Sequence, residues 1–382
     1  KIKKGGRDEP PGGERSKSPD GYAICASWTV GGLTVVLAVT LGLHNSTNSL
    51  NSCTITVLDP SGILKGTRDV SGLLDGGHKY YDVDGLQVQP GHACSTPNQT
   101  VYQFPQSEGN HFVWPPGYIG KRVKVKGVDG HSGIELETLS IRPKVFRVHN
   151  FISEDEAEIL IKRATDPSNP YRLRRSTTGT EDWNKKGASE VASTRTSENA
   201  FDISSETSKK IFKRAFQLLR VPFKMCQADG IQILRYDQKQ AYIEHHDYFP
   251  KGVRVQSGTF DFDSENGGSN RFATVFLYLS DVDNGGQTVF PLADPALNPS
   301  NRTVPEEYRD LFHADSWEYK MVKKCFEKFS VQPKKFSAIL FYSQDAKGRL
   351  DHRSLHGGCP VLSGLKWAAN VWVWNKCRYG TT

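Results

Sequence analysis

Two stretches carry side chains whose types and spacing could bind a metal. Residues 242–249 read YIEHHDYF, with two adjacent histidines and an aspartate, and residues 351–361 read DHRSLHGGCPV, with His352 and His356. If the first stretch is a strand, alternate side chains share a face. His245 and Asp247 then point one way and His246 the other. A histidine and a carboxylate two apart begin a metal site. His356 can complete it, because Gly357 and Gly358 let backbone approach closely. Two histidines and one carboxylate on one face of an ion form the facial triad of non-haem Fe(II) oxygenases, which keeps positions open for a chelating 2-oxo acid and for O2. Zinc, with four ligands or three plus water, is the competing ion at this point. The H-x-D pattern alone is weak, since it recurs by chance.

A dicarboxylic 2-oxo acid needs a cation for its far carboxylate. Lys366 lies ten residues after His356, in LKWAANVWVW. On a strand it shares a face with Ala368, Asn370 and Trp372. An ammonium among apolar neighbours is costly unless paired, and a carboxylate partner removes that cost. A lysine at a strand end pointing to water is the alternative.

These residues need a scaffold of strands. GIQILRY, AYIEHHDYF, RFATVFLYLS, QTVFP, SAILFYS and KWAANVWVWN are short, β-branched or aromatic, and bounded by Gly, Asp, Asn or Pro turns. Helices precede them. Ser153 and Glu156 form a capping box for one, with Ala157, Ile159, Leu160, Ile161 and Ala164 as its apolar face, and a second is expected over about 204–219. Helices followed by many short strands predict an α+β chain with a barrel or jelly-roll core buttressed by helices.

Residues 1–21 are polar and rich in Gly, Pro, Ser and charge, and are expected to form a disordered cytosolic tail. Tyr22–Leu43 has no charged residue and is long enough, at about 1.5 Å per residue, to cross a bilayer core of about 30 Å as a helix. A cleaved signal or a buried helix is the alternative. Lys1, Lys3, Lys4, Arg7, Arg15 and Lys17 precede it, which sets the N-terminus in the cytosol and the rest in a lumen. The expectation is a single-pass type II membrane protein of the endoplasmic reticulum or Golgi. Sequons at Asn45, Asn98 and Asn301 agree with a glycoprotein. Six cysteines outside the apolar segment match no zinc spacing, and Cys53–Cys94 is a plausible bridge. Residues 44–139 read as a stalk or small β-rich module, and 140–382 as the catalytic domain. The net charge of +7 is spread out, with no basic stripe, so no nucleic-acid partner is expected.

The stretch from about Leu139 to Asn375 resembles the catalytic domain of the prolyl 4-hydroxylases. The matching pieces are RPKVFRVHNFIS, LRYDQKQAYIEHHDYF, NRFATVFLYLSDVDNGGQTVFP, VQPKKFSAILFYS and RSLHGGCPVLSGLKWAANVWV, in the family's order. The resemblance implies a double-stranded β-helix holding Fe(2+), with 2-oxoglutarate as cosubstrate, O2 as oxidant and L-ascorbate as a further cofactor. It implies hydroxylation of peptidyl proline to 4-hydroxyproline, coupled to decarboxylation of 2-oxoglutarate to succinate and CO2. The partner is then a proline-rich polypeptide. It further implies that His245, Asp247 and His356 hold the iron, that Lys366 holds the distal carboxylate, and that Tyr236 and Thr288 hydrogen-bond the cosubstrate. Trp372 is expected at the floor of the site, and Tyr242 and Arg271 facing the substrate. The layout is closest to the single-chain, membrane-anchored plant and algal type. One departure is a long interval before His356, which points to an exposed insertion at about 293–329, partly helical around 304–311. The same chemistry on another peptidyl residue, or a non-catalytic barrel, are the rival readings; the intact triad and lysine speak against the second.

Overall fold

The computed structural model describes residues 28–30, 33–35, 54–69, 77–89, 99–106, 109–129, 133–176, 194–251, 261–295 and 302–378. They belong to two units, 1–51 and 52–382. In the first, Trp28–Val30 pairs antiparallel with Leu33–Val35. This corrects the helix expected over 22–43 at the positions described. Thr29, Val30, Thr34 and Val35 are β-branched, and the sequence between them is Gly-Gly, so the local preference is for a ribbon. Among the described residues no helix is long and apolar enough to cross a membrane. The tail, Cys53, Cys94 and all three sequon asparagines lie outside the described residues.

The second unit opens with a four-stranded sheet, in the order Leu64–Asp69, Thr54–Leu58, Thr100–Pro105, His78–Asp82. Ile55, Val57, Tyr80 and Val101 form its own core, while Tyr81, Tyr102, Phe104, Phe112 and Trp114 join the main core of the chain. These strands lie within the span 44–139. A boundary at 139/140 falls inside a strand, and the core runs through it.

The main body contains β1 (Arg122–Lys124), β2 (Glu135–Ser140), β3 (Val145–His149), α1 (Glu154–Thr165), β4 (Arg174–Arg175), β5 (Glu198–Asp202) and α2 (Glu206–Leu218). These are followed by β6 (Ile231–Tyr236), β7 (Tyr242–His245), β8 (Arg271–Tyr278), β9 (Thr288–Val289), α3 (Trp317–Glu327), β10 (Ser330–Val331), β11 (Ala338–Tyr342), β12 (His356–Gly358) and β13 (Lys366–Trp374). A nine-stranded sheet runs β4-β5-β6-β13-β8-β11-β3-β2-β1, and a four-stranded sheet runs β7-β12-β9-β10. From β6 onward β6, β8, β11 and β13 lie in the large sheet and β7, β9, β10 and β12 in the small one, so the chain passes repeatedly between the two.

Strand alternation splits the large sheet into two faces. Ile233, Val275, Leu277, Ala369, Val371 and Val373 pack with Ile211, Phe212 and Phe216 of α2 and Leu160 of α1. Leu234, Tyr236, Phe276, Tyr278, Phe341 and Ala368 pack on the other face, together with Phe290 and Val361. The capping box of Ser153 and Glu156 starts α1 as expected. Ile159 is 41% exposed, so the apolar stripe of α1 is narrower than its sequence implied.

The 293–329 insertion is not simply exposed. It contains a 3-10 turn, Glu306–Leu311, and then α3. Ser316 caps α3, and Met321, Val322 and Cys325 are spaced to bury one side. That side meets Val289 and Cys359, and the Cys325–Cys359 disulfide ties it down. Lys324 pairs with Glu244 of β7. A second disulfide, Cys226–Cys377, joins the turn before β6 to the end of β13.

Candidate active site

His245 and His356 are brought together because β7 and β12 pair antiparallel with these residues opposite one another. Gly357 lets the two strands and α3 approach closely there. A Cβ on it would lie 2.8 Å from Met321 Cε and 3.2 Å from the Tyr242 carbonyl oxygen. Asp247 is not on the strand, which ends at His245. It sits on the bend that follows, and Arg271 Nη1 donates to its carbonyl at 3.1 Å. Its carboxylate nevertheless reaches the same place: Oδ1 is 3.8 Å from His245 Nε2, and Oδ2 is 3.6 Å from His356 Nε2. The three candidate ligand atoms lie within 4.8 Å of one another.

The orientation of each donor is fixed. His245 Nδ1 lies 2.9 Å from the Ile243 carbonyl oxygen and His356 Nδ1 is 2.9 Å from that of Ser354. Only a protonated Nδ1 can donate there, and in the neutral tautomer this selects, Nε2 presents a lone pair. Burial, aided by the neighbouring His356, pushes His245 down to about 3, so it is neutral at physiological pH. Burial raises the Asp247 carboxyl, but His356, His245, Arg271 and the Thr274 hydrogen bond outweigh it and hold it below its ordinary value. Thr274 Oγ1 donates to Asp247 Oδ2 at 2.6 Å. Thr274→Val removes that donor at nearly constant volume. Loss of such a partner costs about 10–100-fold in metal affinity or activity, which an Fe(II) titration of the variant would register.

His246 takes no part in the cluster. Its Nε2 lies 2.9 Å from the His352 carbonyl oxygen and its ring packs on Tyr248. His352 itself is exposed.

All nine residues expected at the site line one cavity of about 830 Å³. Lys366 is 1% exposed and opposite Tyr236 in the β6–β13 register. Its Nζ donates to the Gly286 carbonyl at 2.7 Å and lies 5.1, 5.4 and 5.9 Å from the ring centroids of Tyr236, Phe276 and Tyr278. Burial lowers it to about 7. Thr288 shares a hydrogen bond with Tyr278 at 2.9 Å, and burial pushes the Tyr278 phenol up to about 12. Burial likewise raises Tyr236, so both phenols stay protonated. Trp372 is 8% exposed, and its indole N–H is buried without a hydrogen-bond acceptor. The Tyr242 ring stacks on the His245 imidazole with centroids 3.9 Å apart.

Arg271 is more committed than its sequence position suggested. Its guanidinium lies 3.7 Å from the Trp372 ring centroid, and its Nε donates to Asp229 at 3.0 Å. Asp229 also receives Trp374 Nε1 at 3.0 Å and the Arg378 guanidinium. Sequence reasoning missed Asp229, Thr274, Gln232 and Arg195, whose guanidinium lies over the Tyr242 ring at 4.6 Å and donates to Gln232. A signal existed for two of them. Thr274 and Gln232 are polar residues in otherwise apolar strands, where an inward polar side chain needs a partner.

A family profile of the 2OG-Fe(II) oxygenase superfamily matches residues 231–374, which run from the start of β6 to the end of β13. The probable prolyl 4-hydroxylase 3 of Arabidopsis thaliana is 35% identical over 240 residues, covering 62% of this chain and 71% of that protein. The chain belongs to the prolyl 4-hydroxylase family. Prolyl 4-hydroxylase 5 of the same plant is also 35% identical, covering 64% of this chain and 72% of that one. Among solved structures, a viral collagen prolyl hydroxylase from Paramecium Bursaria Chlorella virus-1 aligns over 60% of this chain and 95% of its own, at 22% identity and a TM-score of 0.38. As a member of this family the chain is an oxidoreductase, a dioxygenase that uses Fe(2+), 2-oxoglutarate and O2, and ascorbate is typical of the family.

Proposed function

We propose that this chain hydroxylates C4 of peptidyl proline, using a jelly-roll core to hold Fe(II) and 2-oxoglutarate. The observation that carries the reading is one cavity lined by both a His-Asp-His cluster with locked Nδ1 atoms and a buried lysine. The residues fit the absent groups. His245 Nε2, Asp247 and His356 Nε2 would hold the ion, and all three residues line the cavity. Bound there, Fe(II) with 2-oxoglutarate and O2 supplies the oxidising power.

The chain's own groups bind, orient and exclude water. Lys366 has one hydrogen-bond acceptor for three N–H donors, so a distal carboxylate would complete it. Tyr236 and Thr288 border the same end of the cavity and can donate to that carboxylate. Tyr242, stacked on His245, and Arg271, bonded to the Asp247 carbonyl, lie beside the cluster and would face the substrate. A panel of poly-proline, collagen-like and extensin-like peptides, incubated with Fe(II), ascorbate and 2-oxoglutarate, tests the reading by mass. A gain of one oxygen on proline in at least one peptide is expected; succinate formation without any proline-dependent product would overturn it.

The lysine predicts a pH dependence. Its charged form is the one that binds a dianion. With a free-state value of about 7, it is mostly charged below pH 7 and mostly neutral above it. A bound carboxylate raises the value, so binding takes up a proton on the alkaline side. The apparent Kd for 2-oxoglutarate should therefore be nearly flat below pH 7. It should rise toward tenfold per pH unit above it, which calorimetry between pH 6 and 9 would show.

The same proposal places the catalytic unit on the lumenal side of an endoplasmic reticulum or Golgi membrane, with residues 22–43 as the anchor. The uncharged segment and the cations before it support this. Carbonate extraction and glycosidase sensitivity of the expressed chain test the placement. A soluble, unglycosylated product would contradict it.

A further inference from the structure

A second cavity, of about 550 Å³, lies where the sheet of residues 54–105 meets the main body. It shares no lining residue with the reaction cavity. Lys79 reaches it from the strand His78–Asp82, Arg220 from the end of α2, Lys224 from the turn before Cys226, and Lys376 from just beyond β13. Four positive side chains thus converge from three widely separated parts of the chain. No Asp or Glu is among the described residues that line the space. A concave space lined by one sign of charge raises the local concentration of counter-ions.

These charges are not neutralised from within the protein. Lys79 and Lys224 form no ion pair with any described residue. The stem of Lys376 lies across Gly109, where a Cβ would sit 2.8 Å from its Cε. Its Nζ donates to the Gly267 carbonyl at 3.1 Å. Arg220 stands in the left-handed region, with φ 57°, just past a helix end where glycine is the usual residue. Its Nη1 and Nη2 donate to the carbonyls of Gln217 and Asp84, each at 3.2 Å, and its guanidinium lies over the Trp114 ring. Its Nε is buried with no hydrogen-bond partner. Asp82 and Asp84 attract Arg220, but neither lines the cavity. Asp82 Oδ1 already accepts from the N–H groups of Asp84 and Leu86, and Asp84 pairs with Lys126. His111, also on the wall, lies with Nε2 2.6 Å from the Asn375 carbonyl oxygen. Burial and the Lys79 charge hold its ring below the ordinary histidine value, so it adds no further charge at neutral pH.

We propose that this cavity binds a small phosphate-bearing molecule with at least two negative charges. Its volume falls within the roughly 300–1,000 Å³ of small-molecule sites, which favours a compact ligand over a polymer. The donors favour phosphate over carboxylate. Arg220 has both Nη atoms directed at carbonyls, so the planar fork that a carboxylate prefers is partly committed. Lysine ammonium groups act instead as point charges, a form that phosphate accepts. A phosphate monoester places about two charges and three acceptor oxygens on one centre. The proposal does not depend on the proline-hydroxylase reading.

The test is calorimetry of the full Fe(II)-loaded chain without O2, with 2-oxoglutarate filling the reaction cavity. The probes are fructose 1,6-bisphosphate and tricarballylate, a carboxylate of comparable charge, at constant ionic strength. The bisphosphate should bind one to one, with a Kd below about 1 mM, and raise the Tm. Lys79→Gln and Lys224→Gln should each raise that Kd about tenfold, the effect of losing one charge-assisted contact. Lys347→Gln, an exposed lysine outside the cavity, removes the same charge and should leave the Kd unchanged. Peptide turnover should be the same in all three variants. Absence of saturable binding, wild-type affinity in both cavity variants, or an equal loss in Lys347→Gln would overturn the site. Tricarballylate binding as tightly as the bisphosphate would overturn the phosphate assignment. Loss of peptide turnover in the wild type would count against the proline reading alone.

Discussion

His245→Ala is expected to abolish measurable Fe(II) binding and turnover, whereas the neighbouring His246→Ala should retain most of both. The contrast is large because the two side chains do different work from adjacent positions. His245 Nε2 is one of three donor atoms in the cluster, and its Nδ1 is committed to the Ile243 carbonyl. Removing it leaves two donors, short of the facial triad. The loss should exceed the roughly 10–100-fold that follows from deleting only a hydrogen-bond partner of a ligand. His246 spends its Nε2 on the His352 carbonyl, outside the cluster. Iron content after reconstitution and turnover, measured on both variants, check the pair. Equal losses would mean the assignment of ligands along this stretch is wrong.

Lys366→Ala should leave Fe(II) binding nearly intact and weaken 2-oxoglutarate binding severely. The ammonium sits at the inner start of β13, 1% exposed, with the Gly286 carbonyl and three aromatic rings around it. A carboxylate brought there without it would be buried and uncompensated. Truncating one partner of a buried, hydrogen-bonded charge pair costs about 2–5 kcal/mol, or roughly 30-fold to several thousand-fold in affinity. Lys366→Met should do the same, which separates loss of charge from loss of volume. Calorimetry of 2-oxoglutarate on the Fe(II)-loaded variants reads the effect. Unchanged affinity would remove Lys366 from the cosubstrate site.

Much of this was legible in the chain because period-two alternation carries position directly. It placed Lys366, Asn370 and Trp372 on one face of a strand, and all three line the cavity. It also separated His245 from His246. Its reach ended where the strand ended. Asp247 sits on a bend held by Arg271, and no local pattern encodes a carbonyl capped from a residue 24 positions away. The same limit hid Asp229, whose role comes from Arg271, Arg378 and Trp374 converging from distant points of the chain. Helix α3 was masked by its surroundings. Its buried residues are few, and its docking depends on Cys359 and β7, neither of them near in sequence. Over 22–43, length and lack of charge suggested a helix, while the β-branched residues Thr29, Val30, Thr34 and Val35 favour the antiparallel pairing of 28–30 with 33–35.

The most direct measurement of the central claim is the ratio of products on one proline-containing peptide. The wild-type chain would be supplied with Fe(II), ascorbate, 2-oxoglutarate and O2, and succinate and 4-hydroxyproline would be quantified together. The account predicts close to one 4-hydroxyproline per succinate, and neither product from the His245→Ala chain. Succinate formed at the same rate with and without the peptide, or an added oxygen on a residue other than proline, would contradict it.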